Sequence, residues 1–279
     1  MAGSSLTVGN VEIVSLLDTP MEFDAGMFFP RNDSADFDPY KEQYPDAYGS
    51  DGKLRTYAHC YALRSAGKTV LVDTGIGPGP VAMLGGISGR LVQDMHTKGV
   101  QPESIDVVVF THLHSDHVGW NLTPDNVPTF GKARYFVPQL DWDFFTASDV
   151  APQNPHIHAS VLPLKELGVL DLFSGEKAIT EELTTYPTPG HTPGHTSILV
   201  SSAGEKAIIC GDIAHHPAQA DRTEWCCGFD GDPPQAVASR QKVFDQLEAD
   251  GLLAAISHFP DPGFGKLVRL EGKRVWQAL

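Results

Sequence analysis

"THLHSDHVGW", residues 111–120, sets three histidines and an aspartate into the six positions 112–117, directly after the apolar run "IDVVVF" at 105–110. No polar residue interrupts that run after Asp106, so it reads as a strand buried on both faces and needing a covering layer on each. Thr111 opens a loop at the strand's carboxyl end, where functional groups are usually displayed. His112 and His114, one residue apart, can converge on one ion if the chain stays extended. Asp116 and His117, on the following turn, can reach a second ion beside the first. Burying so many imidazoles and a carboxylate without a partner would cost several kcal/mol. The stretch therefore predicts a metal site.

The same placement recurs along the chain. "TPGHTPGHTS" (188–197) supplies His191 and His195, "IICGDIAHHP" (208–217) supplies Asp212, and "AAISHFPDPGFG" (254–265) supplies His258, each at a strand-to-loop junction. Several strand ends thus meet at one edge of a layered fold.

Further strands are read in "VEIVSLL", "YAHCYALRS", "KTVLVD", "ARYFVP", "TSILVSS", "KAIICGD", "LLAAISH" and "GKLVRLE". "AGE" at 203–205 and the turn within "RLEGKRVW" make part of the sheet system antiparallel. "DPPQAVASRQKVFDQLEADG" reads as a helix with Asp232 as N-cap, Pro233 at the first helical position and Gly251 as terminator. Val237, Phe244 and Leu247 share its apolar side. "SGRLVQDMHTKG" and "PQLDWDFFTA" are shorter helix candidates. Residues 18–56, rich in Asp, Pro, Gly and aromatics without periodicity, are expected to form a long ordered loop, functional or packed on its own body or a second subunit.

The 279 residues carry a formal net charge of −15 and no Lys/Arg-rich run, which argues against nucleic acid and anionic membranes as partners. No stretch approaches a membrane span or a signal peptide, so one soluble, cytoplasmic domain is expected over 1–279. The four cysteines, Cys60, Cys210, Cys226 and Cys227, lack C-x-x-C spacing and read as buried thiols; for the adjacent pair, packing near a pocket loop competes with redox sensing or zinc binding.

H-x-H-x-D-H, a later Thr-Pro-Gly-His, a strand-end Asp and a strand-end His together resemble the metallo-β-lactamase superfamily, as does "VLVDTGIG" at 70–77. The resemblance implies an αββα four-layer sandwich of the α/β class. It implies that His112, His114 and His191 hold one ion, that Asp116, His117 and His258 hold the other, and that Asp212 bridges them. Imidazoles and carboxylates without thiolate suit two Zn²⁺ per chain, with Fe, Mn or Co possible. His195 is either a ligand, a group orienting one, or a structural hydrogen-bonding residue, and Asp73 either orients a ligand imidazole or serves the turn it sits in.

Two such ions would share a hydroxide and polarise a carbonyl or phosphoryl oxygen, with Asp116 or Asp212 relaying a proton. "TPGHTPGHTS" and "GDIAHHP" are most similar to the quorum-quenching lactonases and the related methyl-parathion hydrolases. The expected reaction is the opening of an N-acyl-homoserine-lactone-type ring, with phosphotriester or aryl-ester hydrolysis as the alternative. β-Lactamase, thioesterase and single-iron persulfide dioxygenase chemistry are further alternatives, as is a metal-stabilised scaffold. Many of those lactonases carry a tyrosine three residues after the bridging aspartate; here His215 stands there, either a substrate contact and proton shuttle or a loop residue without a role. Phe23, Met27, Phe28 and Phe29, Trp120, and Trp225 with Phe229 either line an apolar cleft for a neutral acyl or aryl substrate or belong to the core. A homodimer would use the 18–56 loop.

Overall fold

The computed structural model describes residues 4–81 and 85–279. Seven strands form the first sheet in sequence order: β1 (Ser5–Val8), β2 (Val11–Phe23), β3 (Leu54–Ser65), β4 (Lys68–Val72), β5 (Val107–Val109), β6 (Arg134–Pro138) and β7 (Leu170–Phe173). The first four pair antiparallel, and β4 through β7 pair parallel. The second sheet holds β8 (Leu183–Pro187), β9 (Thr196–Ser202), β10 (Glu205–Ile209), β11 (Leu253–Ala255), β12 (Phe264–Leu270) and β13 (Lys273–Ala278), again in sequence order. Only β10 and β11 pair parallel there, and the helix between them makes the crossover.

Side-chain alternation along each strand assembles the layers. Val107 and Val109 of β5, Val70 and Val72 of β4, and Ala207 and Ile209 of β10 fill one cluster between the sheets. Their neighbours Val108 and Leu71 face the opposite way, into a cluster with Leu91 and Met95 of α2 (Leu91–Thr97), Phe145 of α3 (Gln139–Phe145) and Leu164 of α4 (Leu162–Glu166). Ile208 and Ala254 face outward from the second sheet against Val243, Phe244 and Leu247 of α5 (Pro233–Ala249). Helix, sheet, sheet, helix is the αββα sandwich that the two-faced apolar strands require.

Local sequence signals were read correctly where they were strong. The β9–β10 and β12–β13 turns place Ala203–Gly204 and Glu271–Gly272 at positive φ, which suits two-residue hairpins. The Asp232 side chain caps α5 by accepting from the Gln235 N–H. Val237 is only half-buried, however; the apolar stripe runs through Ala236, Val243, Phe244 and Leu247.

The 18–56 loop is a correction. Residues up to Phe23 extend β2 and residues from Leu54 begin β3, leaving 24–53 as the connection. That connection is ordered by α1 (Ala25–Phe28) and short 3₁₀ turns at Ser34–Tyr40, Pro45–Ala47 and Ser50–Gly52, which carry no periodic signal of their own. Strands β1, β7 and β8 were not foreseen. All four cysteines are buried free thiols. Among the described residues no helix is long and apolar enough to cross a membrane.

Leu247 is fully buried where α5 covers the second sheet. Leu247→Ala is expected to cost about 2–5 kcal/mol in denaturant unfolding; a loss below about 1 kcal/mol would show that this helix does not close the fourth layer.

Candidate metal centre

Strands β4, β5, β8, β10 and β11 run in a common direction within their sheets, and the loops leaving their carboxyl ends gather at one edge. These loops carry Asp73, the 112–117 cluster, His191, Asp212 and His258 respectively. The 111–120 loop lies back to back with 73–77. Thr74 N–H donates to His117 O, Gly119 N–H to Gly75 O and Trp120 N–H to Thr74 O. A Cβ on Gly119 would collide with the Ile76 carbonyl carbon, so only glycine permits this approach.

The seven donors come together in two sets. His112 Nε2 lies 3.1 Å from His114 Nδ1, which lies 2.9 Å from His191 Nε2. On the other side, Asp116 Oδ2 is 3.7 Å from both His117 Nε2 and His258 Nε2. Asp212 lies between the sets, with Oδ1 3.2 Å from His117 Nε2 and Oδ2 2.8 Å from His258 Nε2 and 3.3 Å from His191 Nε2. Each set brings at least three ligand atoms close enough to share one ion.

Proton bookkeeping tests whether cations fit. The Thr111 hydroxyl spends its proton on Asp73 Oδ2, so His112 Nδ1–H donates to Thr111 Oγ1. His117 Nδ1–H donates to Asp73, His191 Nδ1–H to Asp230 and His258 Nδ1–H to the Tyr57 carbonyl. A neutral imidazole has one N–H, so each Nε2 turns a bare lone pair toward the Asp212 carboxylate. His117 Nε2 and Asp212 Oδ1 are buried with no hydrogen-bond partner. Burial holds His112 and His114 well below the usual imidazole range, in the neutral form a metal needs. Burial opposes charge on His117 too, yet Asp212, Asp116 and Asp73 outweigh it and raise that ring well above the range. The centre therefore calls for positive charge, and the residues present fit divalent metal ions as its source.

The orienting groups were only partly foreseen. Asp73 accepts from Thr111 and from His117, one of the candidate ligand imidazoles. His195 is turned away from the donors: Nε2 accepts the Asp212 N–H and Nδ1 donates to the Thr188 carbonyl, with burial holding it down to about 3. It fixes the Asp212 backbone and leaves no nitrogen for an ion. Asp230 was missed. It accepts from His191 and pairs with fully buried Arg240 of α5, whose guanidinium also donates to the Ile213, Thr223 and Trp225 carbonyls. Asp141 was missed as well: its carboxylate receives Leu113 N–H, Thr192 Oγ1–H and Gly194 N–H, and burial pushes it up to about 6. His215 does reach the centre, with Nε2 3.3 Å from Asp212 Oδ2 and 3.6 Å from Cys227 Sγ. Burial would lower that ring, but Cys227 and Asp212 raise it to about 9.

A cleft of about 610 Å³ opens beside His114 and His191, walled by Phe144, Phe145, Val150 and Phe229 with Gln153 and Asn154. Of the six aromatics named as possible pocket lining, Phe229 alone borders this cleft. Phe28 and Phe29 are buried in a cluster with Phe37, although Phe28 also sets its edge against His215. Trp225 packs on Phe37 and Tyr40. Trp120 donates its indole N–H to Asp18 and packs on the outer face of the first sheet. Phe23 stacks on Phe28, and Met27 is exposed. Sequence did not distinguish aromatic core from cleft wall, and α3, which supplies Phe144 and Phe145, was read only as a helix.

Comparison with known proteins agrees with this arrangement. The family model described as the metallo-beta-lactamase superfamily matches residues 55–250. An N-acyl homoserine lactonase of Bacillus sp. is 26% identical over 200 residues, 66% of this chain and 74% of that protein. Hydrolase AbOPH of the beta lactamase superfamily superposes with a TM-score of 0.88 at 25% identity, covering 100% of this chain and 98% of its own. AidC, a dizinc quorum-quenching lactonase in complex with the product N-hexanoyl-L-homoserine, gives 0.82 at 23% identity over 99% and 96%.

Removing bound metal should leave the lone pairs facing Asp212 unscreened. Dialysis against a chelator is expected to lower the melting temperature, with restoration on adding Zn²⁺ back; ligand at about a thousandfold over its Kd stabilises by roughly 4 kcal/mol. A melting curve indifferent to both treatments would mean that the donors satisfy one another without an ion.

Proposed function

The chain belongs to the metallo-beta-lactamase superfamily, and from that premise we propose that it is a dinuclear zinc hydrolase that opens a lactone of the N-acyl-homoserine type. His112, His114 and His191 would hold one ion; Asp116, His117 and His258 the other; Asp212 would touch both. The observation that carries this reading is the paired donor set around Asp212, with His114 and His191 of one set bordering a cleft with apolar walls. The similarity to the N-acyl homoserine lactonase of Bacillus sp. supports it.

Two bound divalent ions would supply Lewis acidity toward the ester carbonyl and a hydroxide at neutral pH. The chain's own residues do the rest. Phe144, Phe145, Val150 and Phe229 would take the acyl group out of water, while the amides of Gln153 and Asn154 give the cleft a polar side. Asp116, with a side chain 21% exposed against 3% for Asp212, is the more open of the two carboxylates and would relay a proton. His215, whose Nε2 lies beside Asp212 Oδ2, would deliver a proton to the leaving alkoxide. It occupies the position that the lactonase pattern gives to tyrosine. A second reading, hydrolysis of aryl esters or phosphotriesters, is favoured by the three phenylalanine rings of the cleft, which suit a flat leaving group.

A panel of lactones, phosphotriesters, aryl esters, thioesters and β-lactams, run on protein of measured metal content, separates these readings. The expected result is two zinc ions per chain, highest kcat/KM on a lactone, and at least a hundredfold loss in Asp212→Ala. One iron with thiol-dependent oxygen uptake would overturn it. Phe229→Ala is expected to raise KM for long-chain lactones more than for short ones, since each buried methylene contributes about 0.8 kcal/mol. Equal effects on both chain lengths would take Phe229 out of the acyl site.

A further inference from the structure

Asp141 lies in the first turn of α3, fully buried, and its two oxygens take three hydrogen bonds from two separate loops. Oδ2 accepts the Leu113 N–H at 3.0 Å and the Thr192 hydroxyl at 2.9 Å, and Oδ1 accepts the Gly194 N–H at 2.6 Å. Leu113 is the residue between His112 and His114; Thr192 follows His191. One carboxylate therefore ties together the two backbone segments that carry all three histidines of the first donor set. Gly194 is pressed so close that a Cβ there would meet the Asp141 backbone nitrogen at 2.6 Å. The far side of the same Leu113 peptide is also held. Its carbonyl accepts from His156 Nε2 at 2.9 Å, and burial keeps that ring below the usual imidazole range and so neutral. One helical turn beyond Asp141, Phe145 sets its ring edge-on to His114 at 5.6 Å.

We propose that Asp141 is the positioning residue of the tri-histidine half of the centre: it sets the spacing between the His112–His114 segment and the His191 turn, so that three imidazole nitrogens meet at one point. The inference rests on the dinuclear reading above. The other half has its own carboxylate, Asp73, which accepts from Thr111 and directly from His117 and reaches the tri-histidine half only through the Thr111 hydroxyl that holds His112. Asp141 thus holds two backbone segments of one half, while the only direct imidazole partner of Asp73 is His117 in the other. A carboxylate is required because both partners on its Oδ2 and the one on its Oδ1 are donors; an asparagine would turn an NH₂ group toward at least one of them.

The test is a titration of metal-free protein with Co²⁺, followed by visible absorption and calorimetry, on the wild type, His114→Ala, Asp141→Asn and the core truncation Val161→Ala. The step missing in His114→Ala identifies the tri-histidine half. In Asp141→Asn that step is expected to weaken roughly ten- to a hundredfold, with an altered cobalt absorption band, while the other step is unchanged. Val161→Ala, at a fully buried site of the same cluster, should lower the melting temperature and leave both steps alone. Two unchanged steps in Asp141→Asn, or two steps weakened equally, would overturn the proposal. A wild type that takes up no metal would instead overturn the dinuclear reading and this inference with it. Should Asp141→Asn fold too poorly to titrate, Thr192→Val removes one of the three donors and is expected to weaken the same step about threefold; no weakening there would overturn the assignment.

Discussion

The constraint on which the rest of the molecule depends is the Asp212 carboxylate, buried among imidazoles of which four have an N–H committed elsewhere. Four of those rings donate outward, to Thr111, Asp73, Asp230 and the Tyr57 carbonyl, and so turn bare nitrogens inward. Each outward acceptor must itself be held. Asp230 is anchored by buried Arg240 on α5, and Asp73 follows β4 directly in sequence. The His195 ring fixes the Asp212 N–H. The electrostatics of the centre thus reach into the helices and strand ends of both sheets, which is why so many polar side chains at this edge are buried.

Much of this was legible in the residues. Runs apolar on both faces, such as 107–110 and 207–210, could only be strands between covering layers, and a histidine or aspartate after each located the edge where the site is built. Strands β7 and β8 escaped notice because each lies at the border of its sheet, where one neighbour is missing and alternation is weak: "LDLF" and "LTTYP" bury only their end or alternate residues. The 24–53 connection was recognised as ordered but drawn too long, since Pro20 within β2 and the polar residues flanking it resemble loop composition.

The candidate donors stand out in the sequence, as do Asp73 and His195 beside them, whereas Asp141 and Asp230 do not. Metal-ligand types at strand ends stand out by chemistry and placement. Asp141 and Asp230 have no such mark. One is a helix residue among other acidic and aromatic residues, the other sits in an irregular segment, and both acquire meaning only from what lies across the fold. The same holds for the cleft, where Phe229 and the α3 pair take the wall while Phe28, Phe29 and Trp225 fill the body beneath it. Aromatic content signals a hydrophobic mass without saying which ring faces outward.

In each donor set two residues come from the loop after β5 of the first sheet and one from a loop of the second; His114 and His191, in contact, are 77 residues apart in sequence. On the proposed ligand assignment, an ion in either position is a tie between the two halves of the sandwich. It restrains the unfolded chain little and the folded one strongly, so docking of the sheets and filling of the centre become a single cooperative event. Neither sheet with its helices, made alone, would carry a complete ligand set, and metal uptake would report that the two have come together.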